Sequence, residues 1–558
     1  NDVSVKSTNS QVNSSIKLED VLRRCGDLGR YQYCHYFFLN LIPLVSGITT
    51  FFYVYGAADI QHRCQLPQDL WPHDSYQIIN STHQELINLW IPQSSLSKCS
   101  IYTNGSNETN QCINWVYDRS VFGKTFTEEA NFVCHNTVKK SFLSTLYQMA
   151  GMVVLLSGRL GDKIGRRKAI HIVTIFMFVT STLTQIFMQF IPMSINTKFA
   201  LLLINQFVSS VDCYSLVFLL LMELTSSSHT NLAGNLALVA FTVGECIVTL
   251  FAYLTRDWLS LKWLTSMCVA LIIPYLYFVP ESPFWLFSNQ HYDQLELQLK
   301  KMASTNGHAE SKWLPFYRRL VRSQKSKDSF DTGVTLPFHT KVKQLLTHIP
   351  TMTRLLVSGT IGLFTMLLYF KISYGLAAMN RVNPYINIII GAAVECAGYT
   401  SASILINKIG RKKSFICYMT LTIICTLIIP FIMEQYPIET AIVAQVGKFA
   451  ISGSLGVSWI YIPELFATTI RAFASGFFIS VGRIGAITAP IVETLIDDKY
   501  MYLTFYIYAG LAFITVGLTL LLPETKNVPF IDKTDFRKPG RNIEMINSGF
   551  ENERIVRF

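Results

Sequence analysis

The chain has 558 residues, half of them apolar and only 15% charged, with a mean hydropathy of +0.32, a composition that belongs to a membrane protein. Lys plus Arg number 47 against 36 for Asp plus Glu, an excess that in a soluble protein would raise the question of a nucleic-acid partner. The basic residues instead cluster in short connections, Lys163, Arg166, Arg167 and Lys168, then Lys408, Arg411, Lys412 and Lys413, as the positive-inside rule expects of cytoplasmic loops, which excludes nucleic acid as the partner.

Apolar runs of roughly 20 residues, long enough to cross about 30 Å of hydrocarbon as helices, recur about twelve times. Asn1 to Arg30 is polar and shows no cleavable signal peptide. The first predicted span is Tyr33 to Tyr55. A polar segment to Lys140 follows, carrying Cys64, Cys99, Cys112 and Cys134. Four cysteines in one polar loop point to an oxidising side and two bridges, with three connectivities open. The same segment holds glycosylation sequons at Asn80, Asn104 and Asn107. Asn13 also begins a sequon, but this topology puts it inside the cell.

Five spans come next, at Ser141 to Leu156, Ala169 to Phe190, Phe199 to Leu221, Leu232 to Leu254 and Leu261 to Val279. A charged linker, Glu281 to His348, is expected in the cytosol and helical around Tyr292 to Met302. Six more spans are predicted at Leu355 to Ala378, Ile386 to Ile406, Phe415 to Met433, Ile442 to Tyr461, Phe473 to Ile491 and Tyr502 to Leu522. The tail from Pro523 is polar and expected to be disordered. The predicted organisation is therefore a cytosolic 1–32, a first helix 33–55, an extracellular disulfide-bonded and glycosylated loop 56–140 and helices two to six in 141–280. A cytosolic linker 281–350, helices seven to twelve in 351–522 and a cytosolic tail 523–558 complete it. Both termini fall on the cytosolic side of a multi-pass plasma-membrane protein.

Six spans, a linker and six spans suggest duplication. Gly158-Arg159-Leu160-Gly161-Asp162-Lys163-Ile164-Gly165-Arg166-Arg167 follows the second span, and Asn407-Lys408-Ile409-Gly410-Arg411-Lys412 follows the eighth. Two all-α halves with a site between them at mid-membrane is the architecture such a repeat implies.

The loop with Gly161, Asp162, Arg166 and Arg167 resembles the signature of the major facilitator superfamily. Its glycines let helix ends approach, and its acids and bases form ion pairs that hold the inner ends of the halves together and gate access. Further segments resemble one subfamily, the organic cation, anion and zwitterion (carnitine) transporters: Gly26-Asp27-Leu28-Gly29-Arg30-Tyr31-Gln32 before the first span, His62-Arg63-Cys64 at its end, and Trp115-Val116-Tyr117-Asp118 through Phe132-Val133-Cys134. So do Pro280-Glu281-Ser282-Pro283-Phe284-Trp285-Leu286 after the sixth span, and Pro463-Glu464-Leu465-Phe466 with Arg471. The resemblance implies the fold, secondary transport, and bridges Cys64–Cys112 and Cys99–Cys134. Two departures stand out. Phe284 replaces a usual arginine, and Glu223 is followed by Thr225 to Asn231 with no cation except a protonated His229, where the family has a basic pair. Both weaken the expected inner latch.

Ionisable groups at membrane depth are costly, and those retained tend to face a substrate or ion path. Asp212, Glu245, Lys371, Glu395, Lys448 and Arg483 meet that description, three acids and three bases that make an amphoteric site. Arg483 matches a position that holds arginine in the anion and carnitine branches; its guanidinium suits a carboxylate bound two ways, or serves as a structural partner for Glu395 or Glu245. Glu395 matches the acid of the cation and carnitine branches, with an internal pair to Lys371 as the alternative. Tyr399 stands where the anion branch tends to place lysine. Lys448 matches a lysine of the anion and carnitine branches. Tyr374, three residues after Lys371 on the same helical face, matches a recurrent binding aromatic. Tyr147, Tyr214, Phe241 and Trp459 are candidates for an aromatic wall that would hold an ammonium through cation–π attraction.

Gly447-Lys448 and Gly453 to Gly456 do not form a phosphate loop, because the order is wrong and they lie in a span. No Cys/His spacing suggests zinc, no cofactor is implied, and an enzyme is not expected. Ile555-Val556-Arg557-Phe558 has the form of a scaffold-domain ligand. The reading is a plasma-membrane carrier for small organic ions, zwitterions or anions first and cations as the alternative, working by alternating access. Sodium, proton, exchange or facilitation are all open, with Glu245 or Asp212 as the group for a coupling ion. A non-transporting receptor on the same fold is the competing class.

Overall fold

The computed structural model describes residues 17–526 apart from 59, 93–97, 103–107, 212–213, 227–229, 331–348, 378–382, 467 and 496–500. Asp212, His229, Asn104, Asn107, the tail with Ile555–Phe558 and the side chain of Arg471 therefore lie outside the description. Among the described residues, twelve helices are long and apolar enough to cross a membrane. They are Arg30–Gly56, Cys134–Ile164, Arg166–Phe190, Ile195–Glu223, Leu232–Thr255 and Trp258–Leu276, then Ile349–Leu376, Pro384–Ile409, Arg411–Ile432, Pro437–Glu464, Phe473–Val492 and Tyr502–Leu520. We number them as spans in that order.

The spans show the inverted pattern that lipid imposes. In the third span Ile172, Ile175, Phe176, Val179, Leu183, Ile186 and Phe187 form an exposed apolar stripe, while Ser181, Thr184 and Gln185 are buried. Those inward groups bond across the bundle: Asn205 Nδ2 donates to Thr184 Oγ1 at 2.8 Å and Ser266 Oγ to Gln185 Oε1 at 2.9 Å. Hydrocarbon offers such groups no partner, so they must find one inside the protein.

Several helices run past the apolar windows that predict them, because a helix continues into polar residues once it has left the hydrocarbon. The stretch around Asp162, expected as a loop, is helical up to Ile164, and the connection to the third span is Gly165 alone. Gly410 plays the same part between the eighth and ninth spans. Both have positive φ, 101° and 100°, a left-handed conformation that strongly favours glycine. A carboxylate presses on each, Glu281 on Gly165 and Glu524 on Gly410. Glu281 Oε1 accepts from the Arg166 amide at 2.7 Å, and Glu524 Oε1 from the Arg411 amide at 2.9 Å. Each acid thus caps the start of the next helix, where the helix dipole favours negative charge.

The linker is more helical than expected, with helices Pro283–Ser288, Tyr292–Thr305 and Glu310–Phe330. Trp313, Tyr317 and Leu320, at helical spacing, bury against Leu295, Leu299 and Met302 and against the helix Leu18–Arg24. Asn306 fastens this cluster to the first span by accepting from the Tyr31 amide at 2.9 Å and donating to Gly26 O at 3.0 Å.

On the other side of the bundle, His62-Arg63-Cys64 does not end the first span, which stops at Gly56. It forms strand β1 (His62–Cys64), paired antiparallel with β4 (Trp115–Tyr117); β2 (Ser100–Tyr102) pairs with β3 (Thr109–Gln111). The reason is Arg63, which is buried in a two-point pair with Asp74 at 2.8 and 2.6 Å. His83 Nε2 lies 2.9 Å from the same carboxylate, and the Leu66 amide donates to it at 2.8 Å. Bridges join Cys64 to Cys112 and Cys99 to Cys134, with Cα separations of 5.6 and 5.7 Å, the pairing that the resemblance implied. Asn80 is exposed and caps the helix Ser81–Trp90 through Oδ1.

Burial alone would raise the Asp74 carboxyl, but the hydrogen bonds from Arg63, Leu66 and His83 and the arginine charge hold it below the usual carboxylate range. Because the folded value is the lower one, this contribution is complete above the unfolded value of about 3.9 and is lost as pH falls through the folded value. Asp74→Asn is expected to destabilise the segment by on the order of 3 kcal/mol, since it leaves the Arg63 charge buried without a partner. It should also flatten the loss of protease protection on acidification from pH 5 to pH 3; an unchanged acid profile would remove Asp74 from that role.

Candidate functional site

Three spans bring charged groups together at mid-membrane. Glu395 and Lys448 each stand eleven residues beyond the start of the eighth and tenth spans, about 16 Å of helix, half of the roughly 30 Å hydrocarbon. Lys448 Nζ lies 2.8 Å from Glu245 Oε1 of the fifth span and 3.2 Å from Glu395 Oε2. The three side chains are 1% exposed or less. Gly391, one turn before Glu395, makes room for the lysine: a Cβ there would meet Lys448 Nζ at 3.3 Å. Two carboxylates on one ammonium leave one formal negative charge over.

The acids are held unequally. Glu395 Oε1 accepts from Tyr369 at 2.8 Å, Tyr399 at 3.0 Å and Thr242 at 3.2 Å. Glu245 Oε1 accepts from Lys448 alone, and among the described residues Oε2 of either acid accepts no hydrogen bond. The cluster also spans the two halves, because Glu245 and Thr242 belong to the amino-terminal half and Lys448 and Glu395 to the carboxyl-terminal one.

Arg483 stands apart from this cluster. Its Nη1 donates to Gln148 Oε1 of the second span at 2.8 Å, and no carboxylate among the described residues lies within ion-pair distance. Its Nε is buried without a partner. The guanidinium lies over Gly151, where a Cβ would meet it at 2.8 Å. The expected alternatives for Glu395, a pair with Lys371 or with Arg483, are thus replaced by Lys448. Lys371 is buried in the seventh span.

Aromatic rings form a continuous chain beside these charges. Tyr374 packs on Phe51 at 6.4 Å between centroids, Phe51 on Phe241 at 6.2 Å, Phe241 on Tyr214 at 6.0 Å and Tyr214 on Trp459 at 6.1 Å. Lys448 Nζ is 5.8 Å from the Phe51 centroid. Tyr147 lies outside the chain, its hydroxyl bonded to Thr50 Oγ1 at 2.8 Å and to Thr49 Oγ1 at 3.1 Å of the first span. Toward the linker side Trp459 packs on Phe218 at 5.2 Å. Toward the disulfide side Tyr385, at the start of the eighth span, stacks on Tyr55 at 5.6 Å and meets Tyr253 at 5.5 Å. Its hydroxyl donates to Val121 O at 3.1 Å.

At the linker-side ends, Arg166 pairs with Asp162 and, at 3.4 Å, with Glu223. Glu223, which no lysine or arginine follows in the sequence, thus finds its cation on the third span. In the other half Arg411 holds Glu464 through two bonds, 3.0 and 3.1 Å. These pairs join spans within each half rather than one half to the other, because each arginine begins the helix next to the one its acid ends. Gly161 packs beside Leu216 and Arg166, and the Arg167 side chain donates to Tyr277 O at 3.0 Å.

Sequence reasoning missed Thr242, Tyr369, Gln148, Tyr385 and Glu524. Glu524 had a signal, since Pro523-Glu524-Thr525 repeats Pro280-Glu281-Ser282. Thr242 had a weaker one, three residues before Glu245 on the same helical face.

Residues 89–534 match the sequence profile of the sugar (and other) transporter family. An organic cation transporter protein of Drosophila melanogaster is 27% identical, with 92% of each chain covered. Human organic cation/carnitine transporter 2 is 23% identical, covering 97% of this chain and 99% of its own. Among solved structures, the inward-open xylose transporter XylE from E. coli superposes with a TM-score of 0.58 at 15% identity, covering 89% of this chain and 98% of that one. The human organic anion transporter MFSD10 gives 0.52 at 12% identity, with 88% and 99% covered. This chain belongs to the sugar (and other) transporter family and is a multi-pass membrane transporter of the major facilitator fold.

Proposed function

We propose that the protein carries small organic zwitterions across the plasma membrane by alternating access. The observation that carries this reading is the separation of opposite charges: an arginine with no acid partner among the described residues on one side, and two acids sharing one lysine on the other. A carboxylate suits the guanidinium of Arg483, and an ammonium suits Glu395, Glu245 and the rings of Phe51, Phe241, Tyr214 and Trp459. Tyr374, Lys371 and Tyr147 complete the proposed lining. The relatives named for organic cations and for carnitine support this class, and an organic anion or cation is the alternative. In this reading the disulfide segment is extracellular and glycosylated at Asn80, Asn104 and Asn107, both termini are cytosolic, and Ile555–Phe558 is open to a scaffold domain. The competing receptor reading rested on a weakened latch, and the Arg166–Glu223 pair argues against it.

Labelled carnitine, a model organic cation and a model organic anion offered to expressing cells test the substrate class. Saturable carnitine uptake that falls at least tenfold in Arg483→Ala and in Glu395→Gln is expected. Cation uptake alone, indifferent to Arg483→Ala, would sink the zwitterion reading.

With no ATP site recognisable, a gradient supplies the energy, and the extra negative charge at Glu245 is the place for a coupling proton or sodium ion. Any dependence of uptake on external pH or sodium should vanish in Glu245→Gln; full persistence would exclude Glu245.

For gating we propose Gly161, Asp162, Arg166, Arg167, Glu223 and Glu281 in one half and Arg411, Glu464 and Arg471 in the other. A charge-assisted bond is worth about 1.5 kcal/mol or more, so Arg411→Ala should slow transport about tenfold at equal surface expression. A normal rate would show that the pair is only structural.

A further inference from the structure

The Lys448 contacts carry more than substrate lining. At mid-membrane, two carboxylates brought together from opposite halves cannot stay without a cation, because each unpaired ion in a dry interior costs several kcal/mol. An occluded arrangement in which both acids stay ionised therefore needs a positive charge between Glu245 and Glu395. Lys448 supplies it from within the chain, at 2.8 and 3.2 Å. The Phe51 ring lies 5.8 Å from the Lys448 ammonium, and Tyr369, Tyr399 and Thr242 donate to the far oxygen of Glu395. A lysine carries its charge on a flexible four-carbon stem, so the ammonium can leave a position that its backbone keeps. A substrate ammonium and the Lys448 ammonium are then alternatives for one position.

Resting on the zwitterion reading, we propose that Lys448 is a built-in stand-in for the substrate's cationic group. It neutralises the Glu245–Glu395 pair when the carrier reorients without substrate, and an ammonium-bearing substrate displaces it when the carrier reorients loaded. Two bonds that cross between the halves, Lys448 to Glu245 and Thr242 to Glu395, form and break once in each such passage. The consequence is a carrier capable of net flux. A carrier that lacks the internal cation completes the crossing only when loaded, and so becomes an exchanger.

The test compares two fluxes of labelled carnitine and of labelled tetraethylammonium in proteoliposomes holding the full chain. One is uptake into vesicles without substrate inside, which requires the unloaded return; the other is counterflow into vesicles preloaded with the same compound, which does not. The ratio of counterflow to net uptake is expected to rise at least fivefold in Lys448→Gln and to return to within twofold of the unsubstituted value in Lys448→Arg. A smaller rise in Lys448→Gln, or a rise in Lys448→Arg as large as in Lys448→Gln, overturns the proposal. Should Lys448→Gln fail to fold, Lys448→Met, which removes the charge and keeps an apolar stem of similar length, takes its place, and the same rise is required of it. If the unsubstituted protein moves neither compound by either route, the transport of ammonium compounds is itself wrong and this proposal falls with it; normal fluxes with an unmoved ratio discard the stand-in alone.

Discussion

The structure turns on one constraint: charge at membrane depth must be answered from within the protein. Glu245, Glu395 and Lys448 meet it by pairing across the interface of the two halves. That choice makes the pair expensive to break, because parting the halves would leave buried ions without partners. A purely apolar interface at the same depth would be as closed but indifferent to what enters. The ion cluster ties closure to the chemistry of the occupant.

Rigid halves are the other requirement, and the chain builds both the same way. Gly165 and Gly410 turn the chain with left-handed geometry, and Glu281 and Glu524 cap the helices that follow. Arg166 and Arg411 then reach back to Glu223 and Glu464 at the ends of the fourth and tenth spans. These bonds lie within a half, so they fix its helices as a body and leave the motion to the interface. The duplication seen faintly as basic loops is clearest in these acids, where the same three-residue device, proline, glutamate and a hydroxyl residue, recurs at 280–282 and 523–525.

The spans were legible because hydrocarbon thickness dictates both their length and their composition, and the buried charges because so few survive there. Who pairs with whom was not. Helix periodicity places Glu395 and Tyr399 on one face, and their hydrogen bond could be anticipated. No periodicity relates Glu395 to Lys448 or Thr242, which come from other spans and meet only through helix packing. The resemblance, by contrast, misplaced His62-Arg63-Cys64, since a buried arginine is at home in a folded segment beside the membrane once Asp74 answers it.

The contrast between the two cations completes the picture. A guanidinium keeps its charge under all conditions and presents several donors in a plane; Arg483 spends one on Gln148 and leaves Nε without a partner. An ammonium is compact and carried on a flexible stem, and Lys448 spends its charge entirely on the protein's own acids. A lysine in place of Arg483 would present no planar fork of donors over Gly151. On the proposed zwitterion reading, the anionic end of a substrate meets a donor already waiting, and the cationic end must win its place from a residue that holds it.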